Sequence, residues 1–148
     1  MLFRDDSLES TDLNATESGT MGYTVLIVDD SDIIRSVLEK TLRMSRLPLD
    51  EVLTACNGKE ALEKLNDNWV DIVFTDIHMP EMSGVELIDA MNSDAELSEI
   101  PVIIVSTEGS AARIEELKSK GVRAYLRKPF TPESIRVVVV DTLGEWDA

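Results

Sequence analysis

The stretch Val73-Phe74-Thr75-Asp76-Ile77-His78-Met79-Pro80 decides the reading of this chain. A β-branched and aromatic run leads into one carboxylate. A Met-Pro step then breaks the backbone before a helix start at Ser83-Gly84-Val85-Glu86. That order puts Asp76 at the C-terminal tip of a buried strand. An isolated buried carboxylate is costly unless it is paired or bound to a metal. Taken alone, the stretch also fits an aspartate that merely starts a turn, since Asp is common where strands end. The segments on either side decide between the two.

Upstream, Tyr23-Thr24-Val25-Leu26-Ile27-Val28 is an apolar run of strand length that ends in Asp29-Asp30-Ser31-Asp32. Such strands suit a sheet covered on both faces. Ile33, Ile34, Val37, Leu38 and Leu42 recur at helical spacing, so an amphipathic helix is expected over 32–46, stopped by Leu47-Pro48. Residues 51–55 read as a short second strand. Asn57 caps the next helix, with Glu60 reaching back and Ala61, Leu62 and Leu65 as its apolar stripe. The third strand runs from Asp71 to Thr75.

Downstream, Ser83 and Glu86 form a capping box for a helix through about Asn92. Residues 100–105 are a fourth strand, with Pro101 near its start, where proline is tolerated. It ends in Ser106-Thr107-Glu108-Gly109. A helix near 110–120 stops at Gly121. A fifth strand over 123–126 ends in Arg127-Lys128-Pro129-Phe130. Thr131-Pro132 opens the last helix, whose buried side carries Ile135, Val138, Val139 and Leu143. Five strands alternate with five helices. The expected fold class is therefore α/β, a doubly wound five-stranded parallel sheet with right-handed crossovers and helices on both faces.

Composition narrows the function classes. The chain has 148 residues, 43% of them apolar, which suits one domain with a proper core. The net charge of −15 argues against duplex nucleic acid and anionic membranes as partners. Cys56 is the only cysteine, so no intrachain disulfide forms, which fits a cytoplasmic location. No apolar run approaches a membrane span, and no signal core or Cys/His metal cluster is present. Residues 1–21 are acidic and aperiodic and read as a disordered tail; residues 22–148 read as the folded domain.

Ligands of such sheets bind at the carboxyl ends of the strands. Those ends supply Asp29 and Asp30, Asp76, Ser106 with Thr107, and Lys128. Three converging carboxylates repel one another. A hard divalent cation with oxygen ligands resolves this, and Mg²⁺ suits a site that keeps positions open for water and phosphate. Lys128 and a hydroxyl from Ser106 can hold the same phosphoryl oxygens. The set matches an aspartyl phosphate, with Asp76 as nucleophile. Strand alternation favours Ser106 over Thr107 as the hydroxyl.

These residues resemble the receiver domain of bacterial two-component response regulators, most closely the stand-alone chemotaxis type. The likeness spans 23–146. It rests on the Asp29-Asp30 pair, Asp76 with Met79-Pro80 and Gly84, Ser106, and Lys128-Pro129-Phe130. It implies the flavodoxin-like strand order 2-1-3-4-5, of which this family is a known example. It implies that a histidine kinase phosphorylates Asp76. Asp29, Asp30, Asp76 and the main-chain carbonyl of His78 would hold Mg²⁺. Ser106 and Tyr125 would form the switch pair, and Lys128-Pro129 would be a cis peptide. Position 106 departs from the family's commoner threonine but keeps the hydroxyl.

His78 is the only histidine, so a phosphodonor histidine must come in trans. His78 reads as an exposed loop side chain; with Glu108 it is also a candidate for tuning hydrolysis of the phosphoryl group. The expected function is a phosphorylation-dependent signalling switch, acting as a monomer on a protein target such as a flagellar motor switch, with a phosphatase to reset it. It would be no enzyme beyond its own phosphoryl transfer and autodephosphorylation. A phosphorelay intermediate is the nearest alternative. A Mg²⁺-dependent phosphatase with an aspartyl-phosphate intermediate is the next, though His78 stands where such enzymes often carry a second acid. A flavin site is disfavoured by Asp29 and Asp30, and no nucleotide P-loop is present. Six basic residues cluster between Arg113 and Lys128; they read as a solvated face or as a docking face for an acidic segment.

Overall fold

The computed structural model describes residues 22–107 and 110–144. The acidic tail and Glu108 lie outside the described residues. The elements are β1 (Tyr23–Val28), α1 (Asp32–Met44), β2 (Leu49–Ala55), α2 (Gly58–Asp67), β3 (Ile72–Thr75), α3 (Gly84–Asn92), a 3-10 turn (Leu97–Glu99), β4 (Val102–Ser106), α4 (Ala111–Ser119), β5 (Ala124–Arg127) and α5 (Pro132–Leu143). They form one parallel sheet in the order β2-β1-β3-β4-β5.

Because all five strands run the same way, connecting helices must cover both faces, and two cores result. Alternate side chains of β1 divide between them: Leu26 and Val28 face one core, Val25 and Ile27 the other. The first core lies under α2 and α3, with Leu65, Leu87, Ile88 and Met91. The second lies under α1 and α5, with Leu38, Leu42, Ile135 and Val139. Phe74 on central β3 is fully buried in the second core. Truncating it to alanine would cost about 3–5 kcal/mol.

Helix starts follow side-chain chemistry. Ser31, Asn57, Ser83, Ser110 and Thr131 each accept a hydrogen bond from a backbone N–H of the first turn. Ser83 with Glu86 makes the expected capping box, and Thr131 makes another with Ser134. Glu60 behaves differently from expectation. It accepts from the N–H of Cys56 at 2.6 Å, one residue beyond the cap. At the other end of α1, Arg136 of α5 donates to the carbonyls of Ser45 and Arg46. This places a cation at a helix C-terminus, where the dipole favours it.

Element bounds differ from the expected ones by a residue or two. β2 starts at Leu49, because the Tyr23 N–H bonds the Pro48 carbonyl and draws the strand into register early. β3 and β4 start later, at Ile72 and Val102, and β5 runs 124–127. The face of α1 is a clearer correction. Ile33 and Val37 are 74% and 45% exposed, whereas Leu38 and Leu42 are buried. Leu42 follows Ile33 by two and a half helical turns, so the two residues point to opposite sides.

Candidate functional site

β1, β3, β4 and β5 bring their carboxyl ends to one edge of the sheet. The Asp29 N–H bonds the Ala55 carbonyl at 3.1 Å, and the Asp76 N–H bonds the Val28 carbonyl at 3.0 Å. The ladder therefore continues one residue past each strand and fixes both aspartates to the sheet edge. On the far side, the Lys128 N–H bonds the Ser106 carbonyl at 3.0 Å. The Lys128-Pro129 bond is cis.

Side chains converge from these anchors. Lys128 Nζ donates to Asp29 Oδ2 at 3.2 Å and to Asp76 Oδ2 at 3.3 Å. The side chains of Lys128, Asp29 and Asp76 are 16%, 5% and 16% exposed. The second oxygen of each carboxylate is also held. Asp29 Oδ1 accepts from the Ser31 N–H at 2.9 Å, and Asp76 Oδ1 from the Ile77 N–H at 2.7 Å. Asp30 is exposed beside them. One carboxylate oxygen from each of Asp29, Asp30 and Asp76 lies within 4.8 Å of the others.

Three carboxylates against one ammonium leave two uncompensated negative charges. All the donors are oxygen. That combination fits a hard dication such as Mg²⁺, which prefers carboxylates and water over nitrogen or sulfur.

The loop after Asp76 is shaped by Gly84. Its N–H bonds the Ile77 carbonyl at 2.7 Å. A Cβ at this position would sit 2.2 Å from the Asp76 carbonyl oxygen. Only glycine lets α3 approach the backbone of the nucleophile candidate so closely. His78 is exposed on this loop, as expected for a loop side chain.

Ser106 is buried at the tip of β4, and Thr107 is exposed. Ser106 shares parity with Ile104, which faces the first core, and Tyr125 on β5 packs against that core too. The two residues of the expected switch pair thus lie on one face of the sheet. The Tyr125 hydroxyl is buried with no hydrogen-bond partner among the described residues. Leaving such a group unsatisfied costs about 1–3 kcal/mol.

Arg35 is a site residue that the sequence pattern alone did not single out. It projects from the first turns of α1, donates to the Asp29 carbonyl at 2.6 Å and pairs with Asp32. It therefore clamps the turn that carries both Asp29 and Asp30. Its spacing within a helix reads as ordinary surface, so only the tertiary contact reveals the role. Nearby, the Glu60 carboxyl is held below its ordinary value, chiefly by the Cys56 N–H. The Cys56 thiol is pushed up, chiefly by its hydrogen bond to Glu60.

Of the six clustered basic residues, Arg113 pairs with Glu116, Lys120 with Asp89, and Lys128 belongs to the site. Lys118, Arg123 and Arg127 are exposed and make no ion pair among the described residues.

Comparison with known proteins agrees with this geometry. Residues 25–140 match the response regulator receiver domain. The chain belongs to the response-regulator receiver family. This receiver is 40% identical over 124 residues to chemotaxis protein CheY1 of Helicobacter pylori, covering 83% of this chain and 98% of that one. It is 41% identical over 112 residues to two-component response regulator ORR3 of Oryza sativa, covering 75% and 83%. Among solved structures, chemotaxis protein CheY4 of Vibrio cholerae superposes with a TM-score of 0.71 at 34% identity, covering 82% of this receiver and 96% of that chain. The expected fold and strand order hold.

Proposed function

We propose that this receiver is a chemotaxis-type switch. Asp76 takes a phosphoryl group from a histidine kinase, and the phosphorylated form binds a protein target such as the flagellar motor switch. The observation that carries the reading is the shared contact of Lys128 with Asp29 and Asp76 inside a cluster of three carboxylates. Similarity to CheY1 over nearly that protein's whole length supports the pathway.

The Asp76 oxygen attacks phosphorus, the bond to the donor imidazole nitrogen breaks, and the imidazole leaves with the electron pair and takes up a proton. The donor comes in trans, since His78 is the chain's only histidine. Asp29, Asp30, Asp76 and the main-chain carbonyl of His78 would hold Mg²⁺. When bound, it neutralises the carboxylates and the oxygens of the transferring group. Lys128 shifts from carboxylate pairing to a phosphoryl oxygen. Ser106 donates its hydroxyl to the same group. Tyr125, whose buried hydroxyl has no partner among the described residues, then repacks, and the shape of β5 and α4 changes with it. The exposed His78, with Glu108 as its partner in this role, sets the lifetime of the phosphoryl group. Lys118, Arg123 and Arg127 offer the docking face for an acidic target segment. The chain turns over only its own phosphoryl group, acts as a monomer in the cytoplasm, and is reset by a phosphatase.

The test is capture of a flagellar motor switch protein by the receiver with Mg²⁺ and beryllofluoride, a phosphoryl mimic. Retention is expected for the parent and not for Asp76→Asn. Equal retention with and without the mimic overturns the switch. Transfer of the phosphoryl group from the receiver to a histidine phosphotransfer protein would mark a relay intermediate, and its absence a terminal switch.

A further inference from the structure

The opposite edge of the sheet carries a groove of about 730 Å³ between the loop after α2 and the 3-10 turn. Its floor is apolar, from Leu65, Val70, Leu97, Ile100 and Pro101. Its wall is Trp69, which is 71% exposed. The indole is not loose, because its N–H donates to Asp71 Oδ1 at 3.2 Å, and Asp71 Oδ2 is itself held by the Thr24 N–H at 2.8 Å. The rim carries the exposed carboxylates of Asp67, Glu96 and Glu99, and no lysine or arginine lines the groove among the described residues. None of these residues belongs to the phosphorylation site, which sits one strand length away, about 15 Å along β3.

We propose that this groove docks a basic partner segment that presents arginine beside a large aliphatic side chain. The aliphatic group fills the apolar floor. The guanidinium lies over the oriented face of Trp69, where cation–π attraction and the rim carboxylates act together. Charge complementarity selects this occupant. The chain's own residues 1–21 carry Asp5, Asp6, Glu9, Asp12 and Glu17 against Arg4, so that segment is repelled. Docking here is independent of Asp76 and of its phosphorylation, so this surface gives the receiver a constitutive attachment point.

The test uses the full chain and a fluorescein-labelled Arg-Leu-Arg-Arg-Leu peptide, followed by fluorescence anisotropy at low salt. Saturable binding is expected, unchanged in Asp76→Asn. Trp69→Ala weakens it roughly fivefold. Glu96→Gln with Glu99→Gln weakens it roughly tenfold, and Glu133→Gln with Asp141→Asn, both exposed on α5, leaves it alone. A peptide with neutral citrulline in place of each arginine binds at least roughly tenfold more weakly. Trp69 and the rim residues are exposed, so these variants keep the fold. Absence of saturable binding overturns the proposal. So does equal weakening by the α5 pair, which would report net charge alone. Equal binding of the citrulline peptide, or a receiver dimer that Trp69→Ala dissolves, overturns it as well.

Discussion

Replacing Lys128 with methionine tests how the site is held before any metal or phosphate arrives. Nζ lies 3.2 Å from Asp29 Oδ2 and 3.3 Å from Asp76 Oδ2. At an effective dielectric constant of ~20, each contact is worth about 5 kcal/mol of Coulomb attraction. Desolvation of three largely buried groups offsets most of it. Methionine keeps most of the length of the side chain and removes the charge, leaving two inward carboxylates facing each other and Asp30. The expected loss is about 3 kcal/mol, near the lower end for breaking a buried pair. For a domain of this size that lowers the thermal midpoint by about 10 °C. Adding Asp76→Asn to the variant removes one orphaned charge and should restore about half of the loss, a coupling that a double-mutant cycle reads directly. Mg²⁺ should raise the midpoint more in Lys128→Met than in the parent. Calorimetry at neutral pH with and without Mg²⁺ is the assay. A midpoint within about 2 °C of the parent, or strict additivity of the two substitutions, refutes the electrostatic reasoning.

Arg35→Ala frees the Asp29 turn and should weaken Mg²⁺ binding roughly tenfold by isothermal titration, with Arg35→Lys in between; equal affinities would show that the clamp does not matter. Gly84→Ala forces a Cβ against the Asp76 carbonyl and should cost about 2 kcal/mol in urea unfolding and slow phosphorylation of Asp76. Glu60 has a folded-state value below its ordinary 4.5, so its stabilisation is present above that pH and fades as pH falls through the folded value. Midpoints between about pH 5 and pH 3 should therefore fall more steeply in the parent than in Glu60→Gln. The same substitution weakens the largest of the effects that raise the Cys56 thiol, so alkylation of Cys56 at mildly alkaline pH should quicken.

Much of the candidate site was legible because most of its residues stand at or just past the end of a mainly apolar strand. Asp29 and Asp76 follow strands, and Ser106 ends one, that are apolar enough for these polar tips to stand out, and Ser83 with Glu86 marks the helix that closes the Asp76 loop. Arg35 was not legible, since its contact is to a backbone carbonyl and leaves no pattern in side-chain types. The exposed Ile33 and Val37 misled in the opposite way: an apolar residue at helical spacing counts toward a stripe even when the helix turns that side to water. The close approach of Gly84 to Asp76 and the groove beside Trp69 both arise from packing between segments distant in sequence.

The most direct test of the central claim is the intact mass of the receiver after incubation with acetyl phosphate and Mg²⁺, followed by borohydride reduction and peptide mapping. A gain of one phosphoryl group, assigned to Asp76 and lost in Asp76→Asn or on chelating the metal, is the expected result. An unchanged mass, or equal uptake by Asp76→Asn, would contradict the assignment of Asp76 as the phosphoryl acceptor.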